Sequence, residues 1–226
     1  ETCFAWAAAH ILVGLPLNLL FLPKVKKAEM HPDWINLVKP HIPIDRTMIL
    51  LGFAFAAAWS VTGAMAAHLP RILESMGATS VQAVAAGAFI GPAQVLARIV
   101  EASLLSRFHP LVSTRLACIT HPIGAAIMAV VGGAAAIPFA IFHGTGNGIL
   151  TISRGTLPLA IFGPVNYGYR LGILGAPARI AQAAAPLAFS FLIDWIGSMV
   201  LVVSSLLSLA ALAALSLVRS SDRRSQ

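Results

Sequence analysis

The chain has 226 residues, 58% of them apolar and only 10% charged, with a mean hydropathy of +0.85. A soluble domain carries roughly a quarter charged residues and needs a polar skin over its core, so a water-soluble fold is excluded. A disordered chain is excluded too, since disorder needs low hydrophobicity and high charge. The net charge of +7 and pI near 10.3 would suit a nucleic-acid surface, but the placement of the basic residues argues against one.

A bilayer core takes about 20 mostly apolar residues per helix. Stretches of that kind run over 3–22, 47–70, 80–105, 111–131, 137–162, 173–196 and 199–218. Seven transmembrane helices are therefore expected in an all-α, polytopic membrane protein. The runs are continuous rather than alternating, which argues against a barrel. Internal prolines such as Pro16, Pro92, Pro122, Pro138, Pro158 and Pro186 are compatible with membrane helices whose neighbours satisfy the freed carbonyls. The chain opens at Glu1 directly on an apolar run with no basic region before it, so no signal peptide is legible and further chain is expected upstream.

Twelve of the 15 basic residues fall on alternate ends of these spans: Lys24, Lys26, Lys27, Lys39, Arg46, Arg107, Arg115, Arg170, Arg179, Arg219, Arg223 and Arg224. Arg71 lies near the opposite ends, and Arg98 and Arg154 lie inside spans. The positive-inside rule then places residues 23–46 and the tail 219–226 in the cytoplasm. The basic pI is thus a signature of membrane topology, and no nucleic-acid partner is expected. Within 23–46, Trp34, Ile35, Leu37 and Val38 suit either a short helix on the inner leaflet or a solvated loop.

The spans 47–131 and 137–218 cover 85 and 82 residues and hold three helices each. Two triplets entering from opposite sides are what an inverted repeat produces. The span 1–22 and the linker 23–46 then belong with something upstream of the six-helix bundle 47–218.

Polar residues inside such a bundle are costly unless they meet water or one another. In span 137–162, His143, Asn147, Thr151 and Arg154 fall within about 80° of one another at 100° per residue. One reading is a substrate-contacting stripe, with Arg154 drawing an anionic group and His143 titrating or hydrogen bonding. The other makes Arg154 a cation paired across helices and His143 with Asn147 glue for the bundle. In span 80–105, Gln94, Arg98 and Glu101 lie within about 60°, and Arg98 can pair with Glu101 three residues on. That arrangement suits a gate or an interface latch. Trp59, central in 47–70, suits a cavity wall or packing. His68 is expected near an interface, His121 as a hydrogen-bonded packing residue, and Arg179 with Gln182 on one face.

Gly87 with Gly91 and Gly144 with Gly148 are expected to let helices approach closely, whereas Gly168 with Gly172 reads as a turn. His10, His68, His121 and His143 lie in four different spans, and Cys3 and Cys118 lack ligand spacing, so no metal, cofactor or catalytic centre is expected. Among the acids only Glu101 lies well within a span, and Asp194 is close to an outer end. A proton carrier is therefore either His143 or an acid in an upstream half, the latter being favoured.

One helix, a basic linker and six helices in two inverted triplets resemble the sixth to twelfth helices of the major facilitator superfamily. Residues 185–197 (Ala-Pro-Leu-Ala-Phe-Ser-Phe-Leu-Ile-Asp-Trp-Ile-Gly) resemble the ending of that family's eleventh helix. Residues 146–172, with Gly-Asn-Gly and a Gly-Pro-x-x-Tyr-Gly-x-Arg-x-Gly turn, are similar to a subset of its bacterial members. Residues 91–107 resemble its cytoplasmic motif, although the usual Asp is absent and Ala97 stands where a Gly is expected. The resemblance implies one half of a secondary transporter that moves a small solute by alternating access between two six-helix lobes. Spans 47–70 and 137–162 would line the cavity, and 111–131 and 199–218 would be peripheral. A bacterial inner membrane, proton coupling and an N-terminal lobe as partner are expected with it, and no transport by these 226 residues alone. The alternatives are a channel-forming or accessory seven-helix subunit and a membrane-embedded enzyme built on His143, Asn147 and Arg154. The enzyme is disfavoured because acids and ligand-spaced histidines are lacking.

Overall fold

The computed structural model describes residues 2–21 and 42–218. Among them all regular structure is helical, with five helical runs long and apolar enough to cross a membrane. The chain divides into two compact units at His41 and Ile42. The interfacial segment around Trp34, most of the basic linker and the tail from Arg219 lie outside the described residues.

The first unit is a helical run made of α1 (Thr2–Ala9), a π-helical turn (His10–Gly14) and α2 (Leu15–Phe21). Pro16 accounts for the widened turn, because its ring displaces the carbonyl four residues back. Apolar residues face outward all around the run, Phe4, Leu12 and Leu20 among them. Such a helix is stable only in an apolar medium.

The second unit holds α3 (Arg46–Ser75), α4 (Ser80–Ser103), α5 (Pro110–Val131), α6 (Ala136–Phe162), α7 (Tyr167–Ile196) and α8 (Val200–Ser216). Local chemistry sets their starts. Asp45 accepts from Met48 N at 2.8 Å, and Thr79 with Gln82 forms a capping box on α4. His109 and Pro110 open α5. Two of the five long apolar runs measure 53 and 50 residues, more than twice what a bilayer core needs. They bend back at Gly132 (φ 74°) and Gly197 (φ 55°), where the left-handed backbone favours glycine.

Contacts between helices fix their directions. Gly63 meets Gln182, and Arg71 reaches Asp194 at 2.6 Å, so α7 runs parallel to α3. Gly144 meets Ile90 and Gly148 meets Gln94, so α6 runs parallel to α4. Gly124 meets Phe139 while Gly146 meets Ala117, making α5 and α6 an antiparallel hairpin. Thr62 reaches Asn147 and Trp59 reaches Arg154, so α3 and α6 are antiparallel. Arg115 reaches Leu215 and His121 reaches Ser204, so α5 and α8 are antiparallel. Consecutive helices therefore alternate in direction throughout α3–α8. The pairing also maps onto itself when α3, α4 and α5 are exchanged for α6, α7 and α8. Thus α4 packs along α6 as α7 does along α3, and α5 packs on α6 as α8 does on α3.

The buried apolar residues form two main clusters. One lies toward the Ser75 end and includes Met65, Leu69, Ile72, Met128, Phe139 and Val200. The other lies toward the Arg46 end and includes Met48, Leu51, Phe55, Leu157, Leu174 and Leu215. Between them sits a polar layer containing Thr62, His121, His143, Asn147 and Ser204.

Two expectations about glycines are corrected. Gly168 and Gly172 lie inside α7, which starts six residues before the expected span. Gly163, Pro164 and a left-handed Asn166 complete the turn upstream, and Tyr167 donates to Gly155 O at 3.1 Å. A side chain added at Gly87 or Gly91 would meet nothing within 4 Å. The close approach to α6 is made instead by the alanine face of α4, with Ala93 and Ala97 against Gly144 and Gly148.

Arg115 is more than a topological charge. Its Nε and Nη2 donate to Leu215 O at 3.3 and 2.9 Å, and Nη2 also reaches Val218 O. It thereby adds a charged donor to the last carbonyls of α8, where a cation also suits the helix dipole. Arg115→Ala is expected to lower stability by about 1.5–3 kcal/mol, in line with hydrogen bonds from charged donors, measured by thermal unfolding in nanodiscs.

Candidate functional site

The polar stripe of α6 divides among three environments. His143 is turned into the bundle and buried, with Nδ1 3.1 Å from His121 Nδ1. His121 Nε2 lies 2.9 Å from Ser204 Oγ, and Ser204 in turn donates to Leu201 O at 3.0 Å. A hydroxyl has one proton and a neutral imidazole has one donor and one acceptor. Ser204 therefore accepts from His121 Nε2–H, His121 Nδ1 is an acceptor, and His143 Nδ1–H donates to it. Phe139 completes the setting, stacked on the His143 ring and edge-on to His121.

Four residues on, Asn147 Oδ1 accepts from Thr62 Oγ1 at 3.2 Å, and that hydroxyl also lies 3.1 Å from Ala58 O. His121, His143, Thr62 and Asn147 all border one cavity of about 20 Å³ between α3, α5, α6 and α8, room for a single water. His143 Nε2 has no hydrogen-bond partner among the described residues. Thr151 is exposed and donates only to Asn147 O in its own helix.

Arg154 reaches across to α3, its guanidinium carbon 6.0 Å from the centre of the Trp59 ring. Arg179 on α7 approaches the same ring at 5.3 Å and donates to Gln182 Oε1 at 2.9 Å. Three helices thus bring two guanidinium groups to one indole. Cation–π contact offsets part of their charge, but among the described residues neither has a carboxylate partner.

Gln94, Arg98 and Glu101 do not gather as a latch. Arg98 is exposed, whereas Glu101 is buried with Oε2 unpartnered, and the local ion pair between them is not formed among the described residues. The helix turn that carries Glu101 toward α6 carries Arg98 to the outer surface of α4, and Gln94 packs its backbone under Gly148. Ser113 and Ser153 are likewise buried with unpartnered hydroxyl oxygens. The registers of α4 on α6 and of the α5–α6 hairpin bring them to the level of Glu101.

No protein-family model matches the chain, and no curated protein matches it. The geometry therefore carries the functional argument.

Sequence reasoning placed Trp59 and Arg154 in one candidate site, and the structure brings them together. It separated His121 from His143 because they lie in different spans, and the α5–α6 hairpin joins them. Arg179 was legible only as a polar neighbour of Gln182, since no periodicity within α7 points to Trp59 on α3. No group of three metal-ligating side chains occurs among the described residues.

Proposed function

We propose that α3–α8 is one lobe of a secondary active transporter of the major facilitator type. Seven crossings, α1–α2 preceding the lobe, and a second six-helix lobe upstream complete the proposal. Such a protein moves a small solute across a bacterial inner membrane by alternating access, driven by protons, with its C-terminus in the cytoplasm. The observation that carries the reading is the exchange pattern of the helix pairs. Two three-helix units that swap partners without changing the packing scheme are the geometry from which rocking carriers are built. The two guanidinium groups that α6 and α7 bring to Trp59 on α3 support it, because intramembrane charges mark solute pathways.

A channel-forming subunit would have the same composition but would not concentrate solute. The full gene product, reconstituted in proteoliposomes under an imposed proton gradient, is expected to accumulate a small organic solute above its external concentration. A protonophore is expected to abolish that accumulation. Flux that only equilibrates the solute, with or without the gradient, would refute the coupled carrier and favour the channel.

A further inference from the structure

We infer that Arg154, Trp59 and Arg179 form a binding site for an organic carboxylate. The inference names the substrate class of the proposed carrier, and only in calling the ligand a substrate does it rest on that reading.

The depth of the two arginines is the first argument. Arg179 lies about 18 Å along α7 from Tyr167, and Arg154 about 12 Å from Phe162, at 1.5 Å per residue. Arg179, expected at a span end, is thus well inside α7, and within the proposed crossings a charged side chain faces a wet cavity or protein rather than hydrocarbon. Arg179 is nonetheless exposed, so the face of α7 that carries it borders water or a further protein surface. Convergence is the second argument. Both guanidinium carbons lie within 6.0 Å of the centre of one indole ring, so an anion held beside that ring is in the field of both. Their charge is the third. Arg179 has a neutral amide as its hydrogen-bond partner, so the pair keeps two positive charges beside one aromatic ring.

Guanidinium forks match the two oxygens of a carboxylate. Phe55, Leu171, Leu174 and Gly175 line the adjoining niche beside Trp59 and Arg154. The niche itself is closed even to a water molecule, so a carbon skeleton would lie over the half-buried Trp59 and Leu171, an apolar surface that gives a fully hydrated oxyanion such as inorganic phosphate no further donors. The carboxylate would lie on the guanidinium groups and its apolar body against the ring.

The test uses the chain in lipid nanodiscs with Trp6, Trp34 and Trp195 replaced by Phe, leaving Trp59 as the one fluorophore of the four tryptophans. Benzoate and succinate are the probes, with benzamide, succinamide and inorganic phosphate as comparators. At least one carboxylate is expected to change Trp59 emission saturably, and its amide is not. Arg154→Gln and Arg179→Gln are each expected to raise the apparent Kd at least tenfold, and Arg179→Lys less. Thermal unfolding verifies that each variant is folded, and the Lys variant reports on the site where a Gln variant does not fold. No saturable response to either carboxylate, an equal response to the amides, tighter binding of phosphate, or unchanged affinity in the folded Gln variants would overturn the inference. Saturable carboxylate binding without coupled flux would leave the site standing and sink the carrier. Coupled flux of a solute whose binding ignores both arginines would do the reverse.

Discussion

Gly148→Leu is expected to destabilise the lobe strongly by forcing α4 and α6 apart. A Cβ at residue 148 would stand 2.6 Å from Gln94 O and 2.9 Å from its Cα. Both are backbone atoms of a packed helix, so no side-chain rotation relieves the clash. One turn earlier, a Cβ at Gly144 would meet Ile90 O at 2.8 Å. The two glycines therefore set the distance between α4 and α6 along a whole turn. Overpacking a tight interface costs about 1–3 kcal/mol and occasionally more, and leucine at 148 belongs at the upper end because its branches have no void to enter. In nanodiscs the variant should unfold at lower temperature and yield less folded protein. Gly87→Leu on α4 serves as the control, since a side chain there meets nothing within 4 Å, and it is expected to be nearly silent. Equal stability of the two leucine variants would contradict the packing described for α4 and α6.

His121→Leu is also expected to destabilise the lobe, and its partner substitution should partly undo the effect. Removing His121 leaves the His143 Nδ1–H without its acceptor and Ser204 Oγ without its donor, both inside the bundle. A buried polar group stripped of its partner costs about 1–3 kcal/mol, whereas replacing both partners by apolar groups can be nearly neutral. The variant carrying both His121→Leu and His143→Leu should therefore lose less than the sum of the two single losses. A double-mutant cycle in thermal or chemical unfolding measures that coupling, and strict additivity would mean that the two rings do not share a proton. Nitrogen NMR of histidine-labelled chain gives an independent reading. The hydrogen-bond directions require the proton on Nε2 of His121 and on Nδ1 of His143.

Helix content and extent were legible because they depend on local properties. A run of about 20 apolar residues has no other stable solution in lipid than a hydrogen-bonded helix. The apolar runs accordingly located α3 to α6 and α8 to within a few residues, apart from the extension of α3 past Pro70 to Ser75. The error at α7 has a local cause as well. A glycine-rich stretch with a proline reads as a turn in water, but within an apolar phase Gly168 and Gly172 continue a helix because leaving their backbone groups unpaired costs more than their low propensity. The α6 stripe was visible in its periodicity, and Trp59 stood out as an aromatic ring far from an interface.

The sequence by itself determined that the chain is a set of apolar helices and which residues inside them carry polar chemistry, because burying unpaired polar groups in hydrocarbon is costly wherever the helix lies. Only the tertiary structure decided which of those polar groups meet. The meeting of Arg154 and Arg179 at the Trp59 ring and the joining of His121 to His143 follow from the register between helices. Register is set by the small-residue contacts at Gly63, Gly144 and Gly148, a property of pairs of surfaces that no single helix encodes in its own periodicity.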